Sequence, residues 1–317
     1  MIQPLTRRGF LRASLAAAAA SAALAAGCSP QPGPESASAR FTPAAPAAGQ
    51  AYLAAIHGQD PEAATRAAIQ ALGGIERFVR KGHEVLIKPN ICVDYHPPEY
   101  AATTNPLVVA ALVKLCLEAG AKRVRVMDAP FGGSPESAYK ISGIGAAVAA
   151  AGGVMEVMSP VKFVKTAIPD GKNIQSWEVY RDALEADVLI NVPIAKHHSL
   201  ARLSLGTKNL FGLAANPPQL HSNLAQRAAD LLSLLRPTLS VVDATRILVA
   251  HGPTGGSLDD VRQTDTVIAS HDPLSADAYA ATLFGLKGAD IPYLKAAAAL
   301  NLGVLDLSSL KIEESNV

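Results

Sequence analysis

The sequence is poor in cysteine, with only Cys28, Cys92 and Cys116, and no Cys-x-x-Cys pair occurs. This argues against an iron–sulfur cluster, or a structural zinc site of thiolates, built from the chain's own side chains. Excess charge is lacking as well: 28 basic residues face 27 acidic ones, and no Lys/Arg run is interleaved with aromatics. Neither a nucleic acid nor a polyanionic surface is implied. No Gly-x-Gly-x-x-Gly follows a strand-like run, and neither a Gly-x-x-x-x-Gly-Lys-Ser/Thr loop nor a Gly-x-Ser-x-Gly elbow is found. Dinucleotide, P-loop and common serine-hydrolase readings therefore have little support. What is present is apolar content of 49% over 317 residues, enough for a full core.

The first fifty residues differ from the rest. Thr6-Arg7-Arg8-Gly9-Phe10-Leu11 precedes an Ala/Leu-rich stretch, Ala13–Gly27, too short to span a bilayer stably and flanked like an export signal. The paired arginines resemble a twin-arginine (Tat) signal, and Leu24-Ala25-Ala26-Gly27-Cys28 resembles a lipobox. The expectation is a signal over 1–27, a lipid on Cys28, and a periplasmic or otherwise extracytoplasmic protein anchored to a membrane, the alternatives being a soluble signal or an uncleaved anchor. Residues 28–50, rich in Pro, Ala and Ser, read as a flexible tether, and 51–317 as one α/β domain.

From residue 51, strands alternate with helical patterns. Ala51–His57 reads as a strand and Asp60-Pro61-Glu62 as the start of a helix to about Val79. A strand over His83–Ile87 delivers Lys88-Pro89-Asn90, Asn105-Pro106 opens a helix that Gly120 ends, and Arg123–Met127 leads to Asp128. A helix near 137–150, a strand near 154–158 and an irregular or β excursion near 155–180 follow. The apolar run Val188–Ile194 suits a buried strand ending at Lys196, His197 and His198, before a loop carrying Lys208 and Asn209. Asn223–Leu235 reads as a helix, Leu239–Val242 as a strand ending at Asp243, Thr266–Ser270 as a strand, and Asp272-Pro273 and Asp290-Ile291-Pro292 as helix starts. The pattern predicts a mostly parallel, doubly wound α/β sheet with helices on both faces.

In such sheets ligands gather beyond the carboxyl ends of the strands, so Lys88, Asn90, Asp128, Lys196, His198, Lys208, Asn209 and Asp243 are expected to converge. Three lysines there suit a small anionic ligand, and a histidine beside them suits proton transfer. Asp128 and Asp243 are read either as catalytic or metal-holding carboxylates or as helix caps. His197 and His198 point opposite ways on extended chain, so one of them is structural. A metal held by His198 or His221 with Asp128 or Asp243 is conceivable, although no spacing marks it. Cys116 is expected in the core, and Cys92 is left open.

Lys88-Pro89-Asn90, Thr104-Asn105-Pro106, Glu118-Ala119-Gly120-Ala121, Asp128, Asp187–Pro193, Lys196, His198, Lys208-Asn209-Leu210-Phe211-Gly212, His221, Val242-Asp243-Ala244, Gly252-Pro253 and Asp272-Pro273 to Asp277 together resemble the family called domain of unknown function 362, over about 51–305. That family has no settled reaction, and its members are often fused to ferredoxin-type modules, which implies redox surroundings and a redox partner protein. The reading is an exported, tethered protein binding a small anionic ligand or unnamed cofactor through Lys88, Lys196 and Lys208, with His198 transferring protons. The rivals are a non-catalytic binding lipoprotein and a structural or assembly partner.

Overall fold

The computed structural model describes residues 40–44, 46–47 and 50–317, which fall in one compact unit. The expected signal, Cys28 and most of the tether lie outside the described residues. The end of the tether lies against the domain: the Arg40 guanidinium donates to the carbonyls of Leu235 and Ala183, and Phe41 N–H donates to Asp187 O at 3.1 Å. Among the described residues no helix is long and apolar enough to cross a membrane.

In chain order the strands are β1 (Leu53–His57), β2 (Glu84–Pro89), β3 (Arg123–Val126), β4 (Val154–Met155), β5 (Phe163–Ala167), β6 (Ser176–Tyr180), β7 (Val188–Val192), β8 (Ile194–His198), β9 (Arg202–Ser204), β10 (Leu239–Leu248), β11 (Val261–Ser270) and β12 (Ile312–Asn316). The helices are α1 (Pro61–Ala71), α2 (Pro106–Glu118), α3 (Pro135–Ile141), α4 (Ile144–Ala150), α5 (Arg181–Glu185), α6 (Gly206–Asn209), α7 (Pro217–Leu220), α8 (Leu224–Leu235), α9 (Pro273–Thr282) and α10 (Pro292–Ala299). The main sheet runs β12-β1-β11-β10-β7-β2-β3-β4, with β8 and β9 attached beside β10. It is mostly parallel, β11 and β9 being the antiparallel strands, and β5 and β6 form a separate antiparallel pair. The expected doubly wound α/β fold and its β excursion are both present.

Alternation along the strands divides the core into two layers. Ile56, Val85, Ile87, Val188 and Ile190 pack with α1, α2 and α4, whereas Leu53, Leu86, Leu189 and Val242 pack with α8, α9 and α10. The crossover from β2 to β3 runs through α2 on one face, and that from β7 to β10 runs through α8 on the other. Strand order therefore reverses between β2 and β7, where a doubly wound sheet opens a crevice.

Several boundaries differ from the sequence expectations for local reasons. Helix α1 stops at Ala71 rather than near Val79, because Gly73 and Gly74 follow at φ +101° and +85°. The expected helix over 137–150 is two helices broken at Gly143, φ +71°. Pro193 splits the apolar run, and the chain continues as β8, so Lys196, His197 and His198 lie within a strand rather than beyond its end. Strand β10 extends to Leu248, which places Asp243 in mid-strand. The polar edge strand β12, parallel to β1, carries no apolar alternation that would have announced it.

Candidate functional site

Lys88 and Asn191 are register partners in β2 and β7, and the alternation that sends Leu86 and Leu189 into the α8 layer sends these two the same way. There they meet α6. Lys88 Nζ contacts Asp128 Oδ1 at 2.6 Å and donates to Asn209 Oδ1 and Pro89 O, each at 2.8 Å. Three acceptors fill the valence of an ammonium group. Asp128 Oδ2 accepts from Ile91 N–H at 2.7 Å and Oδ1 from Ala129 N–H at 2.9 Å. Burial pushes the Lys88 amine down from its ordinary value and the Asp128 carboxyl up, while each one's charge opposes the other's shift. Asn209 Nδ2 donates to Asn191 Oδ1 at 2.8 Å, and Asn191 Nδ2 to Gly206 O at 2.8 Å. Gly212 crosses directly over the ion pair: a Cβ there would collide with Asp128 Oδ1 and come within 2.8 Å of Lys88 Nζ.

Helix α6 is fixed from below by Asp277, whose oxygens accept from Gly206 N–H at 2.7 Å and Thr207 N–H at 2.8 Å. Burial raises this carboxyl to about 7 against those hydrogen bonds. Lys208 projects from the same turn, half-buried, its amine 5.3 Å from the centroid of the Phe211 ring. Among the described residues nothing hydrogen-bonds to its Nζ and no carboxylate lies within ion-pair distance. Burial first, then the charge of Lys196, brings Lys208 down to about 7; Lys88 adds to the fall, and Cys92 opposes it.

Strand β8 puts Lys196 and His198 on one face and His197 on the other. Lys196, 1% exposed, donates to Asn90 Oδ1 at 2.9 Å and Ala102 O at 2.6 Å, without a carboxylate partner among the described residues. Asn90 joins the clusters, since its Nδ2 donates to Asn209 Oδ1 at 2.9 Å. His198 Nδ1 accepts from Leu200 and Ala201 N–H at 3.1 and 3.2 Å, which puts the ring proton on Nε2. Burial, followed by the charge of Lys208, brings its pKa to about 3, so near neutrality His198 is a hydrogen-bond donor with no lone pair to spare. Its ring stacks on His221 at 5.8 Å between centroids, interplanar angle 19°. His221 has the opposite tautomer, because Nδ1 faces Pro217 O at 2.8 Å and must donate, leaving the Nε2 lone pair free. Of the two directions of the proton transfer expected of His198, this tautomer leaves donation from Nε2–H, while acceptance suits His221 and Lys208 better. His197 Nδ1 accepts from Gly252 N–H at 3.1 Å, away from this group.

Asp243 does not join the cluster. Its Oδ2 accepts from Asn105 N–H at 2.7 Å, and its Oδ1 from Thr245 N–H at 3.0 Å and Thr245 Oγ1 at 2.7 Å. It anchors the start of α2 by holding the N–H of Asn105, the residue whose own side chain caps that helix, so Asp243 is not itself the cap. Among the described residues no three His, Cys, Asp or Glu side chains gather to hold a metal. Cys92 and Cys116 are both free and buried; Cys116 is in the core, whereas the Cys92 thiol lies close enough to Lys88 and Lys208 to bear on their charge. A 340 Å³ cleft lined by Gln59, Asn105, Thr245 and Arg246 includes none of the lysines.

Sequence reasoning missed Asn191, Gly212, Asp277 and Cys92 as parts of this arrangement. Asn191 carried a usable signal, a lone amide inside an otherwise apolar strand, which a fold buries only when both its ends are bonded.

The fold and this arrangement define a doubly wound α/β protein with a lysine cluster where its sheet order reverses. The chain belongs to the family described as domain of unknown function (DUF362), whose model matches residues 85–282. It is 28% identical over 255 residues to the thylakoid-associated protein sll1697 of Synechocystis sp., covering 76% of this chain and 75% of that protein. Among solved structures, the lactate racemase apoprotein from Thermoanaerobacterium thermosaccharolyticum aligns with a TM-score of 0.42 and 13% identity. That alignment covers 77% of this chain but only 56% of the racemase chain.

Proposed function

We propose that the protein binds a small anionic ligand, a carboxylate or phosphate, in the crevice between β2 and β7, against Lys196, Lys208 and the Nε2–H of His198. One observation carries this reading: two buried or half-buried lysines stand there with no carboxylate partner among the described residues. An unpaired ammonium withdrawn from water is costly, and an incoming anion offsets that cost. Lys88 and Asp128 form the floor of the site, and Asn90 and Asn209 join floor to walls. Calorimetric titration with inorganic phosphate and with acetate tests the reading. Binding should weaken at least about tenfold, or 1.4 kcal/mol, in Lys208→Ala. No binding to wild type, or equal affinity in the variant, would count against it.

The proposal extends to location. Tat export and a lipid on Cys28 would hold the domain at a membrane surface, and the relative named as thylakoid-associated suits such a setting. Metabolic labelling with a fatty-acid analogue should tag the wild-type chain and not Cys28→Ala; an untagged wild type would remove the lipid from the account.

A further inference from the structure

The three lysines differ in what holds them. Lys88 has three acceptors, at 2.6, 2.8 and 2.8 Å, and Lys196 has two, at 2.6 and 2.9 Å. Lys208 has none among the described residues, with an aromatic ring as its neighbour. An ammonium without acceptors loses no hydrogen bond on becoming a neutral amine, and two cationic neighbours favour that loss of charge. Desolvation next to another cation is a recognised way to turn lysine into a nucleophile. Rigidity favours it too: Asp277 pins the turn that carries Lys208, and Asn209 beside it is bonded to Lys88, Asn90 and Asn191.

We propose that Lys208 forms a Schiff base with the carbonyl carbon of a small anionic oxo acid. This rests on the anion-binding reading and names its substrate class. Lys196 would pair with the carboxylate, and the His198 Nε2–H would donate to the carbonyl oxygen. The amine lone pair adds to the carbonyl carbon, a proton moves from nitrogen to oxygen to give the carbinolamine, and departure of water leaves the C=N bond. No oxidant or reductant takes part. The depressed pKa of Lys208 supplies the neutral amine that the addition needs.

The test is reductive trapping on the full chain, using pyruvate and glyoxylate with sodium cyanoborohydride, followed by peptide mass mapping. Lys208 should be alkylated at least about tenfold faster than the exposed Lys140 and Lys165, with inorganic phosphate as a competitor and with Lys208→Arg abolishing that adduct. Labelling spread evenly over surface lysines, in a protein that still binds phosphate, would overturn the Schiff base and leave anion binding standing. Absence of both the adduct and phosphate binding would overturn both.

Discussion

Lys88, buried in β2, and Lys208, half-buried in α6, meet at the same edge of one sheet in opposite surroundings. Lys88 is held by a carboxylate, an amide oxygen and a carbonyl, with a glycine passing over the pair because nothing larger fits. Lys208, a few residues before that glycine, meets a ring and other cations. The same residue type is structural in one place and available in the other, and the difference is the count of acceptors. A buried charge with every partner supplied fixes a backbone; one left short keeps a free energy that a ligand can relieve.

The largest expected effect comes from taking away Lys88's counter-ion. Asp128→Ala leaves a buried ammonium without its counter-ion and two amides without acceptors, and should cost about 3–5 kcal/mol in chemical denaturation. A loss below about 1 kcal/mol would mean that Lys88 is no more structural than Lys208.

Lys208→Met should act in the other direction. Its folded pKa is lowered, from 10.5 to about 7, so the folded state binds that proton less tightly than the unfolded one. The cost is complete below about pH 7, fades as pH rises, and is gone above about 10.5. The variant should therefore be more stable by roughly 1–3 kcal/mol at pH 6, with half-burial taken into account, and no more stable than wild type near pH 10.5. Denaturation curves at the two pH values check the sign, and destabilisation at pH 6 would show that Lys208 has a partner after all.

The smallest effect is expected at Asp243. Asp243→Asn disturbs the start of α2 and should cost about 1–2 kcal/mol of stability. Phosphate affinity should change less than about twofold, or roughly 0.4 kcal/mol, because Asp243 touches none of the lysines. A tenfold change would return Asp243 to the site.

The doubly wound fold was legible because strand and helix periods alternate cleanly, and the cap signals at Asp60, Asn105 and Asp272 all hold in the structure. Convergence of Lys88, Asn90, Asp128, Lys196, His198, Lys208 and Asn209 followed from placing polar residues at parallel strand ends. Their division into structural and available groups did not, because it depends on hydrogen-bond partners brought from other segments. Asp243 looked like a strand-end residue only because pairing with β11 carries β10 further than its apolar run. The direction of proton transfer open to His198 was not legible, because sequence does not reveal a tautomer set by two backbone amides of the next turn.

The central claim, that Lys208 is the uncommitted amine of an anion site, is tested most directly by nitrogen NMR of lysine side chains as a function of pH, with and without inorganic phosphate. The account predicts that the Lys208 amine titrates near 7 in the free protein and moves upward when phosphate binds, since an anion stabilises the protonated form. Titration in the ordinary lysine range, unaffected by phosphate, would contradict it.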